Sequence, residues 1–116
     1  MVSEDYLKQR IMAYVSQRPR GKENAIVRSE ILKNLQLFEP NLSDRKFRIF
    51  YTALPVCTSA AGLYRAKNPN EAWEWFKYLE KQVGPIHAAR RYRLLLTYYP
   101  ELSRPRGQQR ELFPSC

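Results

Sequence analysis

The segment from Leu42 to Leu54 constrains the fold most, because it separates apolar and cationic residues onto opposite faces of one helix. Ser43 can accept a hydrogen bond from a first-turn N–H, and Asp44 places an acid where the helix dipole favours it. At 3.6 residues per turn, one face is suited to a core and the other is suited to solvent or a ligand. The core face consists of Phe47, Phe50, Tyr51 and Leu54, and the opposite face consists of Arg45, Ile49 and Thr52, flanked by Lys46 and Arg48.

The opposite face carries groups that bind nucleic acid in a major groove. Arginine and lysine bond phosphates and guanine edges, and the methyl groups of isoleucine and threonine can contact the thymine methyl. An ordinary solvated face is the alternative interpretation, and it would be preferred if this helix stood alone. The elements on either side of the helix favour DNA binding.

The charge of the chain supports a polyanionic partner. Its 116 residues include 20 Lys and Arg against 11 Asp and Glu, which gives a net charge of +9. Nucleic acid is therefore the first candidate partner, and a membrane surface is the second. No apolar run approaches the roughly 20 residues of a spanning helix, and no signal peptide precedes the first predicted helix. We therefore expect a cytoplasmic protein with no membrane partner. Because 116 residues are enough for one modest core and too few for two, we also expect a single domain.

The elements before this segment are predicted to form a helix-turn-helix unit. A first helix covers about residues 4–17 and ends at residues 18–21, where Pro and Gly make continuation unfavourable. A short strand follows at residues 25–27, and Ser29 is predicted to cap a second helix. The link from 36 to 42 then leads into the basic helix. Helix, short strand, helix, turn and basic helix is the order of a helix-turn-helix unit.

A β-hairpin is predicted directly after the basic helix. Residues 55–58 and 63–65 are short β-prone runs, separated by a loop at 59–62. A glycine ends this loop and can take the positive φ that a four-residue hairpin loop often requires. The hairpin is predicted to act as a wing, with Arg65 and Lys67 at its base contacting phosphates.

Residue strings in three places carry a family resemblance. They are Leu42-Ser43-Asp44-Arg45-Lys46-Phe47-Arg48, the hairpin Val56-Cys57-Thr58-Ser59 with Gly62-Leu63-Tyr64, and an acidic helix after Asn70. Together they resemble the small winged-helix proteins encoded by bacteriophages and integrated elements, over residues 4 to about 96. The resemblance implies a recognition helix at 43–54, a wing at 56–65, and DNA binding rather than enzymatic activity. The chain departs from the family pattern at residues 84–85, where relatives tend to continue one final helix.

The second half is predicted to form a C-terminal helical extension of the same domain. Asn70 is expected to cap a helix with an apolar stripe that reaches Val83, and Pro85 is expected to break it. The apolar face beyond the break either folds back on the domain or pairs with a second copy, so the oligomeric state is left open. The predicted fold is mainly α with a small β-hairpin (α+β), a winged helix-turn-helix with this extension over residues 1–98.

Residues 99–116 are predicted to form a flexible basic tail, because they are rich in Pro, Arg, Gly and Gln and lack apolar periodicity. Within them, Gln109-Arg110-Glu111-Leu112-Phe113 is similar to the peptide by which bacterial replication and repair proteins dock on the sliding clamp. Leu112 and Phe113 would enter an apolar pocket, and Gln109 would hydrogen-bond at its rim. The alternatives are a tail that folds back on its own domain and a tail that binds nothing.

Catalytic and metal-binding patterns find little support in this sequence. His87 is the one histidine, and Cys57 and Cys116 lie far apart, so we expect no enzyme, no metal site, no cofactor and no disulfide framework. The leading hypothesis is a phage or mobile-element protein that binds double-stranded DNA in replication or transcriptional control within the host bacterial cytoplasm. The rival hypothesis is a host-takeover adaptor that binds and inhibits a host protein such as RNA polymerase or a defence nuclease.

Overall fold

The computed structural model describes residues 2–103, which form a mainly helical α+β fold with five α-helices and one two-stranded antiparallel sheet. The predicted fold class is confirmed at that level. The elements in chain order are α1 (Glu4–Ser16), a 3₁₀ turn (Lys22–Asn24), α2 (Arg28–Leu35), α3 (Asp44–Thr52), β1 (Cys57–Ser59), β2 (Gly62–Tyr64), α4 (Pro69–Val83), α5 (Pro85–Tyr98) and a second 3₁₀ turn (Pro100–Leu102).

The predicted start of α3 is confirmed by its cap. The hydroxyl of Ser43 accepts a hydrogen bond from the backbone N–H of Lys46 at 3.1 Å, which satisfies one of the donors that a helix start leaves unpaired. Phe47, Phe50 and Tyr51 of the predicted core face are buried in one cluster with residues of α1 and α2, whereas Leu54 lies beyond the end of the helix and is half-buried. This first core cluster contains Leu7, Ile11, Val15, Ile26, Ile31, Leu35, Leu42, Phe47, Phe50, Tyr51, Val56 and Leu63.

Two other helix starts differ from the sequence prediction. Ser29 does not cap α2, because the helix begins at Arg28 and Val27 occupies the N-cap position without a side-chain hydrogen bond. Asn68, not Asn70, caps α4: its side-chain oxygen accepts from the N–H of Glu71 at 2.8 Å. A proline follows at the first helical position, where its missing N–H has no cost.

The hairpin has a shorter loop than predicted. Thr58 pairs with Leu63 and Ser59 pairs with Gly62, so two residues rather than four connect the strands. Gly62 has a φ of 137°, in the positive region that the sequence predicted. The predicted strand at 25–27 is a single bridge: the N–H of Ile26 donates to the carbonyl of Leu63 at 2.8 Å, and the N–H of Leu63 donates to the carbonyl of Ile26 at 2.9 Å.

This hairpin lies between two core clusters and is buried on both faces. Leu63 belongs to the first cluster, whereas its chain neighbour Tyr64 belongs to a second cluster built on α4 and α5. Because successive side chains of a strand point to opposite faces, one strand serves both clusters. The second cluster contains Cys57, Tyr64, Ala66, Ala72, Trp75, Phe76, Leu79, Ala88, Tyr92, Leu95 and Leu102.

The helices α4 and α5 form a helical hairpin. The sequence had left open whether the apolar face of the second helix folds back on the domain or pairs with a second copy. Gly84 alone links them, with a φ of 88°, and Pro85 starts α5, so the predicted break is confirmed. The apolar face of α5 folds back onto α4, with the rings of Tyr92 and Phe76 4.8 Å apart. Val83 was predicted to extend the core stripe of α4, but it is 42% exposed because the helix ends there. The packed chain continues to Leu102, which is buried.

Alkaline pH is expected to destabilise the protein through Cys57. Burial raises the pKa of this thiol from 9.0 to about 12. The folded state therefore keeps the thiol neutral while the unfolded chain ionises near its ordinary pKa. The free energy of unfolding should be unaffected below pH 9 and should fall above it by about 1.4 kcal/mol per pH unit.

Urea denaturation at pH 8, 9 and 10 measures this effect, with Cys57→Ala as the control variant. Burial, followed by the neighbouring Cys57, also raises the pKa of Tyr64 above its ordinary range, so part of the loss near pH 10 should remain in Cys57→Ala. An equal loss of stability in both proteins between pH 9 and pH 10 would show that the thiol is not its source.

Candidate nucleic-acid interface

The outward face of α3 is the main cationic surface that the sequence singled out. Arg45, Lys46 and Arg48 are exposed there, and Ile49 is 56% exposed in their midst. On the opposite side of the same helix, Phe47, Phe50 and Tyr51 are buried in the first core cluster. The predicted division of this helix into a core face and a cationic face is therefore present in the structure.

The guanidinium groups of α3 are available for a ligand. Arg45 and Arg48 make no hydrogen bond or ion pair with any residue between 2 and 103. Lys46 has one distant contact, in which its Nζ lies 3.9 Å from Oε1 of Glu4 and both side chains are more than half exposed. An exposed pair of this kind contributes little and can be exchanged for a phosphate contact.

Thr52 lies at the end of this surface and is half-buried. Its hydroxyl donates to the carbonyl of Ile49 at 3.1 Å within the same helix. The hydroxyl is therefore already engaged, and the methyl group is the part of the side chain suited to a thymine contact.

The two cations at the base of the hairpin are held by the protein itself. The guanidinium of Arg65 donates to the carbonyls of Ser16 at 3.3 Å and Arg18 at 2.9 Å. The ammonium of Lys67 lies 3.3 Å from the carboxylate of Glu23 and lowers the pKa of that acid, after a larger contribution from a backbone hydrogen bond. These residues attach the segment after α1 to the hairpin, so less of their charge is free for phosphate.

The tip of the hairpin carries no charge and does not project far. Ala60 and Ala61 are its exposed residues, and the hydroxyl of Ser59 accepts from the N–H of Ala61 at 3.1 Å. The flanking strands are covered by both core clusters. A hairpin seated in this way can approach DNA with its loop backbone, but not with a long charged arm.

Sequence reasoning missed Arg28, which connects α2, α3 and the hairpin. Its Nε donates to the hydroxyl of Tyr51 at 3.2 Å, and its Nη1 donates to the carbonyl of Ser59 at 2.8 Å. Those partners are 23 and 31 residues away, so no local pattern could have revealed the contact. Arg28 thereby fixes the orientation of α3 relative to the hairpin loop.

A second arginine missed by sequence reasoning, Arg91 of α5, is half-buried. Its Nε and Nη2 have no hydrogen-bond partner among residues 2–103. Burial lowers the pKa of Arg91, and its guanidinium lies 5.4 Å from the ring centre of Trp75. Periodicity alone placed this residue outside the apolar face of α5.

The remaining predicted positions are not informative for this site. Gln109, Leu112 and Phe113 lie outside the described residues. Within residues 2–103, no three His, Cys, Asp or Glu side chains form a group that could hold a metal ion. No helix in the same range is both long enough and apolar enough to cross a membrane.

Comparison of the chain with protein-family models, with curated proteins and with solved structures gave no match. The functional inference therefore rests on the chemistry of the surface itself.

Proposed function

We propose that this is a winged-helix protein that binds double-stranded DNA with α3 in the major groove. The observation that carries the proposal is the pair of unpartnered guanidinium groups, Arg45 and Arg48, on a helix whose other side is anchored in the core. A recognition helix needs this combination, because a firmly packed helix holds its cationic side chains in one register against the bases.

The arrangement around α3 supports the same function. Ile26 bridges to β2 between α1 and α2, and the hairpin follows α3, which is the element order of a winged helix-turn-helix. The net charge of +9 adds long-range attraction for DNA. The hairpin of this protein would contribute its loop backbone more than charged side chains.

The side chains of α3 have distinct proposed roles. Arg45 reads guanine through two hydrogen bonds, and Ile49 or Thr52 contacts a thymine methyl. Lys46 and Arg48 bond phosphates and position the helix without reading sequence. Arg65 and Lys67 add weaker phosphate contacts at the hairpin base, because each already has a partner within the protein.

The biological setting that we propose is replication or transcriptional control in a phage or mobile element. The segment Gln109–Phe113 would then tether the DNA-bound domain to the bacterial sliding clamp. Both statements rest on resemblance, and neither alters the expected chemistry of α3.

Replacing Arg45 with alanine is expected to relax the sequence preference of the protein. The loss of a bidentate guanine contact should cost about 1–3 kcal/mol on the preferred site and much less on other sequences. Selection of binding sites from a random duplex library, repeated with wild type and Arg45→Ala, measures the change. Lys46→Ala is the matched control, because it removes the same charge from the neighbouring position and should weaken all sequences alike.

The assignment of Arg45 fails if wild type and Arg45→Ala select the same preferred sequence with equal discrimination. It also fails if Lys46→Ala changes the preferred sequence and Arg45→Ala does not. In that case the two residues would exchange roles, while the proposal that α3 binds DNA would stand.

An adaptor that binds a host protein is the second candidate, and an exposed aromatic patch on α1 and the turn after α2 favours it. Tyr6 and Phe38 are both exposed, with ring centres 5.8 Å apart, and Leu37 beside them is 78% exposed. The guanidinium of Arg10 lies 4.6 Å from the ring centre of Phe38. Aromatic and arginine side chains are enriched in protein interfaces, and RNA polymerase or a defence nuclease would be the class of partner.

Salt separates the two candidates. Phosphate contacts make the logarithm of DNA affinity fall linearly with the logarithm of salt concentration. An interface centred on Tyr6, Leu37 and Phe38 would respond weakly to salt, because apolar burial does not depend on screened charges.

A further inference from the structure

A cavity of about 660 Å³ lies between the hairpin loop, the 3₁₀ turn Lys22–Asn24 and α4, and its lining is acidic and aromatic. Three of the chain's 11 acidic side chains meet there with one lysine, although the chain as a whole is strongly basic. The lining side chains used in the argument are Glu23, Glu71, Glu74, Tyr64, Trp75 and Tyr78.

One carboxylate of this cavity is free to bind a cation. Oε1 of Glu71 accepts from the backbone N–H groups of Lys22 and Lys67, both at 3.1 Å, and Glu23 is paired with Lys67. Glu74 makes no hydrogen bond or ion pair with any residue from 2 to 103. The carboxylates of Glu71 and Glu23 are therefore engaged within the protein, whereas the carboxylate of Glu74 is available to a ligand.

Tyr64 supplies a second unpartnered group. Its side chain lines the cavity and is 3% exposed, yet its hydroxyl makes no hydrogen bond within the described part of the chain. Burial, followed by the neighbouring negative charges, raises the pKa of Tyr64 above its ordinary range, so the hydroxyl stays neutral. The hydroxyl is open to the cavity, where it can accept a hydrogen bond from a ligand.

The aromatic wall is fixed in place. The indole N–H of Trp75 donates to the hydroxyl of Thr58 at 3.2 Å, which ties α4 to the hairpin. Tyr78 lies one helical turn further along and is exposed. A planar cation could stack on such rings while it bonds a carboxylate at its edge.

We propose that this cavity binds a guanidinium group, and that its occupant is the arginine-bearing segment 104–116 of the same chain. Guanidinium suits the lining better than ammonium, because it can stack on an aromatic ring and donate in its own plane to Glu74 and Tyr64. The segment carries Arg104, Arg106 and Arg110 against a single acid, so its charge complements that of the cavity.

The described chain ends close to the cavity. The 3₁₀ turn Pro100–Leu102 packs against α4, the helix that supplies Glu74. Glu101 pairs with Arg20 at 3.3 Å, and the cavity residue Lys22 lies two positions after Arg20. The three arginines lie one, three and seven residues beyond Ser103, so an extended chain can carry Arg110, the last of them, up to about 23 Å from the described end.

The test compares amide spectra of full-length variants by NMR. Replacing all three arginines of the segment with glutamine should shift the indole N–H signal of Trp75 and the amide signals of Ala60 and Ala61. Glu74→Gln should shift the same signals, and combining both changes should give no further shift, because each removes the same contact. Added salt should move the wild-type signals toward those of the arginine variant.

Two matched controls keep the inference falsifiable. Leu112→Ala with Phe113→Ala keeps the charge of the segment and should leave the three signals in place. Glu80→Gln changes an acid on the same helix outside the cavity, and its effect should add independently to that of the arginine variant. Unchanged cavity signals in the arginine variant would overturn the proposal, as would a shift produced by the apolar variant instead. Neither result bears on DNA binding by α3.

Discussion

Gly62→Ala is expected to destabilise the protein by roughly 4 kcal/mol, although it adds a single methyl group. The new Cβ would stand 1.9 Å from the carbonyl oxygen of Ile26, and the backbone φ of 137° is already unfavourable for alanine. Relief of that collision requires Ile26 to move away from Leu63, which breaks the two hydrogen bonds of their bridge. Urea denaturation followed by circular dichroism measures the loss.

Gly84→Ala is the matched control for backbone strain. Gly84 also has a positive φ, of 88°, but an added Cβ meets no atom within 4 Å. It should cost only the conformational penalty of about 1–3 kcal/mol. Equal losses in the two variants would show that the collision at Ile26 is relieved without cost, and that strain alone limits position 62.

Removing the three cations of α3 together is expected to reduce DNA affinity about 100-fold or more at low salt. The variant Arg45→Ala/Lys46→Ala/Arg48→Ala leaves the buried face of the helix intact, so the fold should survive. The slope of log affinity against log salt should become shallower by about two, because Lys46 and Arg48 are the proposed phosphate contacts. Fluorescence anisotropy with a labelled duplex over a range of salt concentrations measures both quantities.

A second triple variant separates a local effect from a change in net charge. Lys81, Arg90 and Arg93 are exposed on α4 and α5, and replacing them with alanine removes the same charge from another surface. This variant should keep most of the affinity and most of the salt slope. If both triple variants lose affinity equally, attraction by overall charge explains the binding and α3 is not the recognition helix.

Local chemistry made several features predictable from the sequence. Ser43 followed by an acid marks a helix start, and the structure has the cap there. A glycine at the end of a hairpin loop indicated the positive φ of Gly62, and Pro85 indicated the break between α4 and α5. Each of these signals acts within about four residues, which is why a sequence pattern can carry it.

The two errors at helix starts have different causes. Asn68 and Asn70 are both good caps, and the decisive signal was the proline after Asn68, which fits the first helical position. At α2, Ser29 is a good capping residue by type. The bridge between Ile26 and Leu63 fixes the chain just before the helix, so that Val27 occupies the N-cap position instead. Tertiary pairing therefore overrode local preference.

Contacts between distant segments could not be predicted. The partners of Arg65, at the end of α1 and just after it, are 49 and 47 residues away, and those of Arg28 are 23 and 31 residues away. The double burial of the hairpin depends on how α5 folds over α4, which the sequence left open. For that reason the sequence identified the cationic face of α3 but not which other cations are already engaged.

The position of the hairpin between two clusters has a consequence for how this chain can be divided. Leu63 and Tyr64 are adjacent, yet each completes a different cluster. A cut in the link between β2 and α4 would give the N-terminal fragment a sheet with one bare apolar face, and would deprive the helical fragment of the wall it folds against. The smallest autonomous unit must therefore span both clusters, so neither fragment can serve as an independent module in a fusion or a recombinant exchange.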